Sequence, residues 1–234
     1  MTRQKLLTSF LMLIFLFTAC KKHDQPASAE AFDLNNVHLE DYCIYANFRT
    51  ANGGLKNHVY LFEFIPGNKL KVYTAESDRG YQYSYVIKNN NTLDVEGELY
   101  IITFNQGEKI DAIKHSNNNF LYERPVLIKK PQSNQLEGKT FAGRYYTPQD
   151  VDIHNKDLIY KFLPNGKVEA DFDVNNPVRT ENYNLIGNMA ATTRITGMVN
   201  SYEIMVLVNG KLEVNTRNGT ITPSRTEYGT FTIR

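Results

Sequence analysis

The chain has 234 residues and is nearly neutral, with 26 Lys and Arg against 25 Asp and Glu. This balance gives no electrostatic footprint for nucleic acid or for anionic lipid head groups, and it argues against proteins that bind either one by charge. The 15 Tyr and 13 Phe suit strands better than helices, and the length suits one or two domains, so an all-β fold is the first expectation.

Residues 1–19 are typical of a bacterial secretory signal. Basic residues at the start precede an apolar run from Leu6 to Ala19, which is short for a membrane span but suits the central region of a signal peptide. The end of this run, Leu16–Cys20, resembles the lipobox, in which a Leu and small residues precede a Cys that is acylated and becomes the mature N-terminus. An ordinary secretory signal with an incidental Cys20 is the alternative.

The lipobox resemblance implies a lipid anchor at Cys20. Each buried methylene contributes about 0.8 kcal/mol, so two or more acyl chains hold a protein stably at a membrane. Lys21, in place of the Asp that signals inner-membrane retention, implies the outer membrane, facing the periplasm or the cell surface. The membrane is therefore expected as a partner through the acyl anchor only. Residues 20–36 lack an apolar period and predict a flexible tether that spans about 20 Å.

The remaining chain predicts two homologous units, 37–131 and 132–234. The central evidence is a pair of similar stretches, Phe62–Leu70 (FEFIPGNKL) and Tyr160–Val168 (YKFLPNGKV), in which alternating aromatic residues precede Pro and a Gly/Asn pair. Further matches at nearly the same offset are Phe48 with Tyr145, Tyr85–Ile87 with Tyr183–Leu185, and Leu99–Ile101 with Tyr202–Ile204.

Each unit consists of short apolar stretches that are separated by Pro, Gly and Asn turn signals, and no stretch keeps a helical apolar period. Short antiparallel strands in up-and-down order close into a barrel because closure removes exposed edges. The predicted fold class is therefore all-β, with two tandem, homologous antiparallel up-and-down units, each a β-barrel or a rolled sheet.

Motifs of the second unit resemble the lipocalin-like domains of Bacteroidetes lipoproteins. They are Leu136–Lys139 leading to Tyr145, then Tyr160–Val168, then Tyr183–Leu185 and then Ile204–Gly210. The first unit resembles a diverged copy. The resemblance covers both units and implies an up-and-down β fold that can carry a hydrophobic cup. It implies no particular ligand and carries no catalytic residue across.

Few residues carry chemistry. Cys43 is the single thiol besides Cys20, so no internal disulfide is expected, and its apolar neighbours predict a buried, inert thiol. One acidic cluster holds Asp150, Asp152 and His154, which could bind a hard cation through oxygen ligands, although a solvated loop is the favoured interpretation. No zinc site and no cofactor are expected.

Tyr81, Tyr83 and Tyr85 occupy alternate positions and therefore lie on one face of a strand. Tyr85 has an aromatic counterpart in the second unit, Tyr183, which predicts a core role for Tyr85. The counterparts of the other two are Arg179 and Glu181, which favours an exposed aromatic platform at Tyr81 and Tyr83. Such a platform can stack on a sugar ring or contact a protein partner.

The sequence thus favours an envelope-anchored binding lipoprotein that holds a small apolar ligand or a glycan in a barrel cup or on an aromatic face. The alternative is a structural or protein-interaction lipoprotein of the outer membrane with no small-molecule ligand. No converging titratable groups are predicted, so an enzyme is not expected, and neither is nucleic-acid binding.

Overall fold

The computed structural model describes residues 33–105, 109–153, 155–171, 179–220 and 225–234. The signal and residues 20–32, which include Cys20, lie outside the described residues. The prediction of a tether up to residue 36 is wrong at its end, because Leu34 is buried in the core of the first barrel. Both folded halves belong to one compact unit, which is assigned to Phe32–Arg234. Across the described ranges, no helix has the length and apolar character needed to span a membrane.

The all-β prediction is confirmed, with sixteen antiparallel strands in the described ranges that close into two eight-stranded barrels. The strands of barrel 1 are β1 (Tyr42–Thr50), β2 (His58–Ile65), β3 (Lys69–Thr74), β4 (Ser77–Asn89), β5 (Thr92–Val95), β6 (Tyr100–Asn105), β7 (Lys109–His115) and β8 (Phe120–Lys129). Each strand pairs with the next along the chain, and β8 closes on β1.

Barrel 2 has the same order, with β16 closing on β9. Its strands are β9 (Thr140–Tyr146), β10 (Leu158–Leu163), β11 (Lys167–Asp171), β12 (Arg179–Ile186), β13 (Ala190–Arg194), β14 (Tyr202–Val208), β15 (Lys211–Asn218) and β16 (Arg225–Ile233). The two barrels share no sheet. Eight strands enclose an interior just wide enough for side chains to fill, so both interiors are packed cores.

The tandem hairpins adopt the predicted turn geometry. In the β2–β3 turn the left-handed residues are Gly67 and Asn68, and in the β10–β11 turn they are Asn165 and Gly166. Gly and Asn tolerate positive φ better than other residues, which explains why the order Gly-Asn in one unit and Asn-Gly in the other serves equally well. The turn chemistry is thus conserved while the residue order is not.

The strand register makes the two barrels equivalent residue by residue. Phe62 pairs with Val72 as Tyr160 pairs with Ala170. The same holds for further pairs of interior positions, which are Tyr85–Val95 with Tyr183–Thr193, Val95–Tyr100 with Thr193–Glu203, Tyr100–His115 with Glu203–Thr216 and Phe48–Tyr122 with Tyr145–Gly229. The matches inferred from sequence offsets are therefore confirmed at these positions.

A short segment before β1 closes one end of barrel 1. Leu34 and Leu39 are buried in the barrel core, and Leu39–Asp41 forms a single 3-10 turn. The backbone N–H of Leu34 donates to the carbonyl of Asn90 in the β4–β5 turn (2.9 Å). We call this closed end the base of barrel 1, and the opposite end, where β1 ends and β8 begins, its mouth.

The barrels pack against each other through a third apolar cluster, which we call the inter-barrel core. Strand β1 is buried on both faces, because Ile44 points into barrel 1 while Cys43 and Tyr45 point toward barrel 2. Barrel 1 contributes Cys43, Tyr45, Val59, Leu61, Tyr73 and Ala75, and barrel 2 contributes Ile186, Met189, Ala190, Ile204, Val206 and Val208. Removing either barrel would expose its half of this surface to water.

Candidate functional site

The mouth of barrel 1 is lined by aromatic side chains from six strands. They are Phe48, His58, Tyr60, Tyr81, Tyr83, Tyr100, His115, Phe120 and Tyr122. These positions collect at one end because they lie where β1, β3, β5 and β7 end and where the following strands begin. The site is therefore a product of barrel closure, since residues from 48 to 122 meet there.

The rings contact each other edge to face and at tilted angles. Tyr122 lies 5.3 Å from Tyr60 and 6.0 Å from Tyr100 between ring centroids, and Tyr83 lies 5.9 Å from Tyr100. Phe48 packs on Tyr60 at 4.9 Å. Such aromatic pairs contribute about 0.5–1.5 kcal/mol each beyond the burial of their area, so the cluster holds its rings in a fixed arrangement.

Three tyrosine hydroxyls of this cluster lie close together. Burial raises the pKa of Tyr100 to about 12, and burial together with neighbouring tyrosines raises the pKa values of Tyr60 and Tyr122 as well. All three phenols therefore stay protonated at neutral pH. A protonated phenol can both donate and accept a hydrogen bond. The mouth thus combines aromatic faces with neutral hydrogen-bonding groups.

The two histidines of the mouth are also neutral at pH 7. Burial lowers the pKa of His58 to about 4, and burial lowers the pKa of His115 in the same direction. The ring of His115 lies 4.9 Å from Tyr100 and 4.8 Å from Phe120. The interior side chains of this mouth therefore carry no formal charge.

The tyrosine row is placed partly as the sequence predicted. Tyr85 is buried in the core of barrel 1, and Tyr81 is 48% exposed, so both predictions are confirmed. The prediction that Tyr83 is exposed is wrong, because its ring is half-buried and packs on Tyr100. The row also faces the interior instead of forming an outer platform, since Tyr81 pairs with Val72, whose side chain lies in the core.

The equivalent end of barrel 2 holds a buried polar network. The carboxylate of Glu203, which is 2% exposed, accepts three hydrogen bonds at one oxygen, Oε1. The donors are Arg179 Nη2 (2.5 Å), Tyr160 (2.9 Å) and Thr216 (2.9 Å). The hydroxyl of Tyr145, which lies 3.3 Å from the same oxygen, donates its one proton to the closer Tyr160 hydroxyl. The network places one ion pair inside barrel 2, where the equivalent end of barrel 1 has aromatic side chains.

Electrostatics keep this network in one protonation state. Burial raises the pKa values of Tyr145 and Tyr160 well above that of free tyrosine, and the negative charge of Glu203 adds to the effect. Burial opposes the charge of Arg179, but the attraction of Glu203 outweighs it and raises the guanidinium pKa. The network thus holds an ion pair of Arg179 and Glu203 among neutral phenols.

Smaller neighbours make room for the ion pair. The position that holds Val72 in barrel 1 holds Ala170 in barrel 2. The position of Tyr122 corresponds to Gly229, where a Cβ would meet the Phe231 ring and a backbone oxygen at 2.6 Å. The interior is therefore filled in both barrels, but with different chemistry.

Two residues of the predicted metal cluster, Asp150 and Asp152, have partners elsewhere in the structure. Asp150 accepts hydrogen bonds from the hydroxyl of Tyr228 and, at 3.5 Å, from Asn57, while Asp152 forms an ion pair with Arg144 at 2.9 Å. His154 lies outside the described residues. In the part of the chain that the structure describes, no group of three His, Cys, Asp and Glu side chains could hold a metal ion.

Cys43 is fully buried in the inter-barrel core, as predicted, and burial raises its pKa to about 12. Gly187 packs on it so closely that an added Cβ would lie 3.0 Å from the Cys43 sulfur. The thiol is therefore unreactive in the folded protein, because the thiolate is the reactive form. Cys20 lies outside the described residues, so its acylation stays a prediction.

An open groove of about 620 Å³ borders barrel 2 beside the β13–β14 loop. Its walls include Asn182 and Asn184 of β12, and Asp78 of β4 lies at its edge. The loop presents Met198 and Val199, and Val199 is 64% exposed. The groove was not anticipated from sequence, because its lining residues come from separate strands and carry no shared motif.

No protein-family model matches this chain, and no curated protein matches it. Among solved structures, it is similar to a protein of unknown function from the DUF3598 family of Nostoc punctiforme. The match covers 82% of this chain and 95% of that protein, with 9% sequence identity and a TM-score of 0.30. The fold assignment therefore rests on the strand pairing of this chain.

Proposed function

We propose that this protein is an envelope-anchored binding lipoprotein, of the type found in Bacteroidetes, and that it holds its ligand at the mouth of barrel 1. The anchor is an acylated Cys20, and the protein faces the periplasm or the cell surface from the outer membrane. Its role is binding and not catalysis. The two ligand classes that suit the site are a glycan and a small apolar molecule.

One observation carries the proposal. Tyr81 stands at the outer end of the tyrosine row, and about half of its surface is exposed. The next ring, Tyr83, is half-buried, and the last ring, Tyr85, is buried. Tyrosine supplies a large, rigid contact surface at low entropic cost, and its exposed face can stack on a ligand. The mouth is therefore preorganised for a flat ligand.

The filled barrels favour binding at the mouth over binding in a deep cup. Phe62, Phe64, Leu70, Leu93 and Phe104 are almost completely buried below the tyrosines of barrel 1. A ligand inside would have to displace this packing, and lost core contacts cost about 2–5 kcal/mol per large side chain. A ligand on the exposed Tyr81 ring avoids that cost.

A binding screen with the full mature chain tests the proposal. A glycan array and a panel of small apolar compounds should each be probed with wild type, Tyr81→Ala and a matched control, Gln82→Ala, on the outer face of the same strand. We expect at least one ligand whose affinity falls about tenfold or more in Tyr81→Ala and stays unchanged in Gln82→Ala. Binding that is indifferent to Tyr81 would contradict the site.

The β13–β14 loop favours a second candidate function, a protein-interaction lipoprotein without a small-molecule ligand. Met198 and Val199 are exposed at the tip of a loop that is held at its base by Glu181, which accepts from the backbone N–H (3.0 Å) and the hydroxyl (2.7 Å) of Thr196. A rigid loop with an apolar tip suits a protein contact. In that case Val199→Asp would abolish partner capture from envelope extracts, while Tyr81→Ala would not.

The proposed address has its own test. Metabolic labelling with a clickable fatty acid should tag wild type and not Cys20→Ser, and Cys20→Ser should leave the membrane fraction. Labelling that persists in Cys20→Ser would exclude anchoring through this residue.

A further inference from the structure

We propose that the mouth of barrel 1 points away from the membrane and takes a neutral, water-soluble saccharide from the aqueous phase, not an acyl chain from the bilayer. This inference rests on the proposed function, and it adds the direction of the site and the class of its ligand. Two independent observations carry it: where the N-terminal segment meets barrel 1, and which groups line the mouth.

The N-terminal segment enters barrel 1 at the base. Leu34 and Leu39 are buried in the core at this end, and the backbone N–H of Leu34 donates a hydrogen bond to the carbonyl of Asn90 in the β4–β5 turn. The aromatic mouth lies at the opposite ends of the same strands, around the β1–β2 and β7–β8 loops. An anchor at Cys20 therefore holds the protein by the end that is farthest from the exposed Tyr81.

The base gives a lipid no entrance of its own. Leu34 is 1% exposed and packs in the core with Leu39, so the end nearest to the anchor is closed by the chain itself. An acyl chain that leaves the bilayer would meet this closed end first. A ligand that reaches the mouth arrives from the solvent side.

The chemistry of the mouth favours a neutral ligand. Sugar rings stack on tyrosine faces, and the ring of Tyr81, which is 48% exposed, is a face that a sugar can reach. Burial keeps His58 neutral at pH 7. A charged ligand would lose its hydration without gaining an ion pair from these interior side chains, which is costly.

A calorimetric titration of the full chain tests the ligand class. The probes are neutral gluco-, manno- and xylo-trisaccharides, a glucuronate-containing trisaccharide of the same length, and palmitate. We expect a neutral trisaccharide to bind at least tenfold more tightly than the acidic one, with a tenfold or greater loss in Tyr81→Ala and none in Gln82→Ala. Palmitate should show no Tyr81-dependent binding.

The outcomes separate this inference from the proposed function. If palmitate or the acidic sugar binds best and its binding depends on Tyr81, the neutral-saccharide inference is wrong and the binding site at the mouth is retained. Binding by none of the probes would overturn the neutral-saccharide inference. Binding that is insensitive to both Tyr81→Ala and Tyr83→Ala would overturn both the inference and the proposed site.

The direction of the mouth is tested with the lipidated protein in vesicles. A fluorophore is attached at Lys69→Cys beside the base or at Asn118→Cys beside the mouth, both exposed positions, and nitroxide lipids serve as the quencher. Cys43 stays unlabelled because it is buried. We expect at least twofold stronger quenching at position 69 than at 118. Equal quenching, or stronger quenching at 118, would overturn the orientation.

Discussion

The mouths of the two barrels share one strand register and differ in chemistry. Where barrel 1 has Tyr81 and Tyr100, barrel 2 has Arg179 and Glu203, and the two charges pair with each other. The substitutions make sense only together, because either charge alone would be buried without a partner. The comparison teaches that a duplicated barrel can exchange a whole ring of interior side chains while its backbone pairing is kept.

The largest expected effect concerns the inter-barrel core, which lies outside both mouths. Ile204→Asp should lower the free energy of unfolding by more than about 4 kcal/mol, because Ile204 has no exposed surface and a carboxylate there has no partner. The measurement is urea denaturation followed by far-UV circular dichroism. Val86→Asp, at a position that is 58% exposed, is the control and should change stability by about 0.5 kcal/mol or less. Similar losses for both variants would mean that the barrels do not depend on each other.

The polar network of barrel 2 should respond next. Glu203→Ala should cost about 3–5 kcal/mol, because it leaves Arg179, whose side chain is only 20% exposed, without its partner. The double variant Arg179→Met with Glu203→Leu should recover most of this loss, since an apolar pair of similar size needs no hydration. Chemical denaturation of wild type, Glu203→Ala and the double variant gives the three stabilities to compare. A double variant no more stable than Glu203→Ala would show that the pair is not the source of the effect.

The tyrosine row of barrel 1 should give a graded series. Tyr85→Ala should cost about 3–5 kcal/mol as a buried aromatic residue, Tyr83→Ala about 1–3 kcal/mol through its contact with Tyr100, and Tyr81→Ala about 0.5 kcal/mol. Thermal melts at one pH rank the three variants. A large loss in Tyr81→Ala would place that ring in the core and would remove the basis of the binding site.

Acid should weaken barrel 1 through His58. Burial lowers its pKa to about 4, against 6.5 for the free side chain, so between these values the unfolded chain binds more protons than the folded one. Stability is therefore lost as the pH falls from 6.5 to 4, by up to about 3 kcal/mol, and this contribution is constant below 4. His58→Phe should show a smaller pH slope than wild type in denaturant titrations. Parallel slopes would contradict the assignment.

Much of the fold could be predicted from sequence because repeated turn signals and matched aromatics survive divergence, as Phe62–Leu70 and Tyr160–Val168 show. The orientation of Tyr81 and Tyr83 could not be predicted from sequence. The presence of Arg179 and Glu181 at the equivalent positions suggested an outer face, but a barrel interior accepts charges when they find partners, and Arg179 pairs with Glu203.

The buried ion pair and the inter-barrel core were both missed. Arg179 and Glu203 are distant in sequence, and only barrel closure brings them together. A signal for Glu203 was available, because its sequence match to Tyr100 placed it at an interior position. For the inter-barrel core, the unbroken run of apolar residues at Tyr42–Ala46 was the available sign, since a strand that is buried on both faces does not alternate.

The burial of Cys43 makes its thiol a chemical probe of how often the barrels separate. Its sulfur is enclosed by residues of both barrels, and its raised pKa leaves almost no thiolate in the closed state. A thiol reagent can therefore react only during moments when the barrels part or unfold. The labelling rate of native protein, divided by that of the denatured chain, equals the fraction of time spent open when closing outpaces the reaction. Ligand at the distant mouth would alter that ratio only if it changes how the barrels hold together.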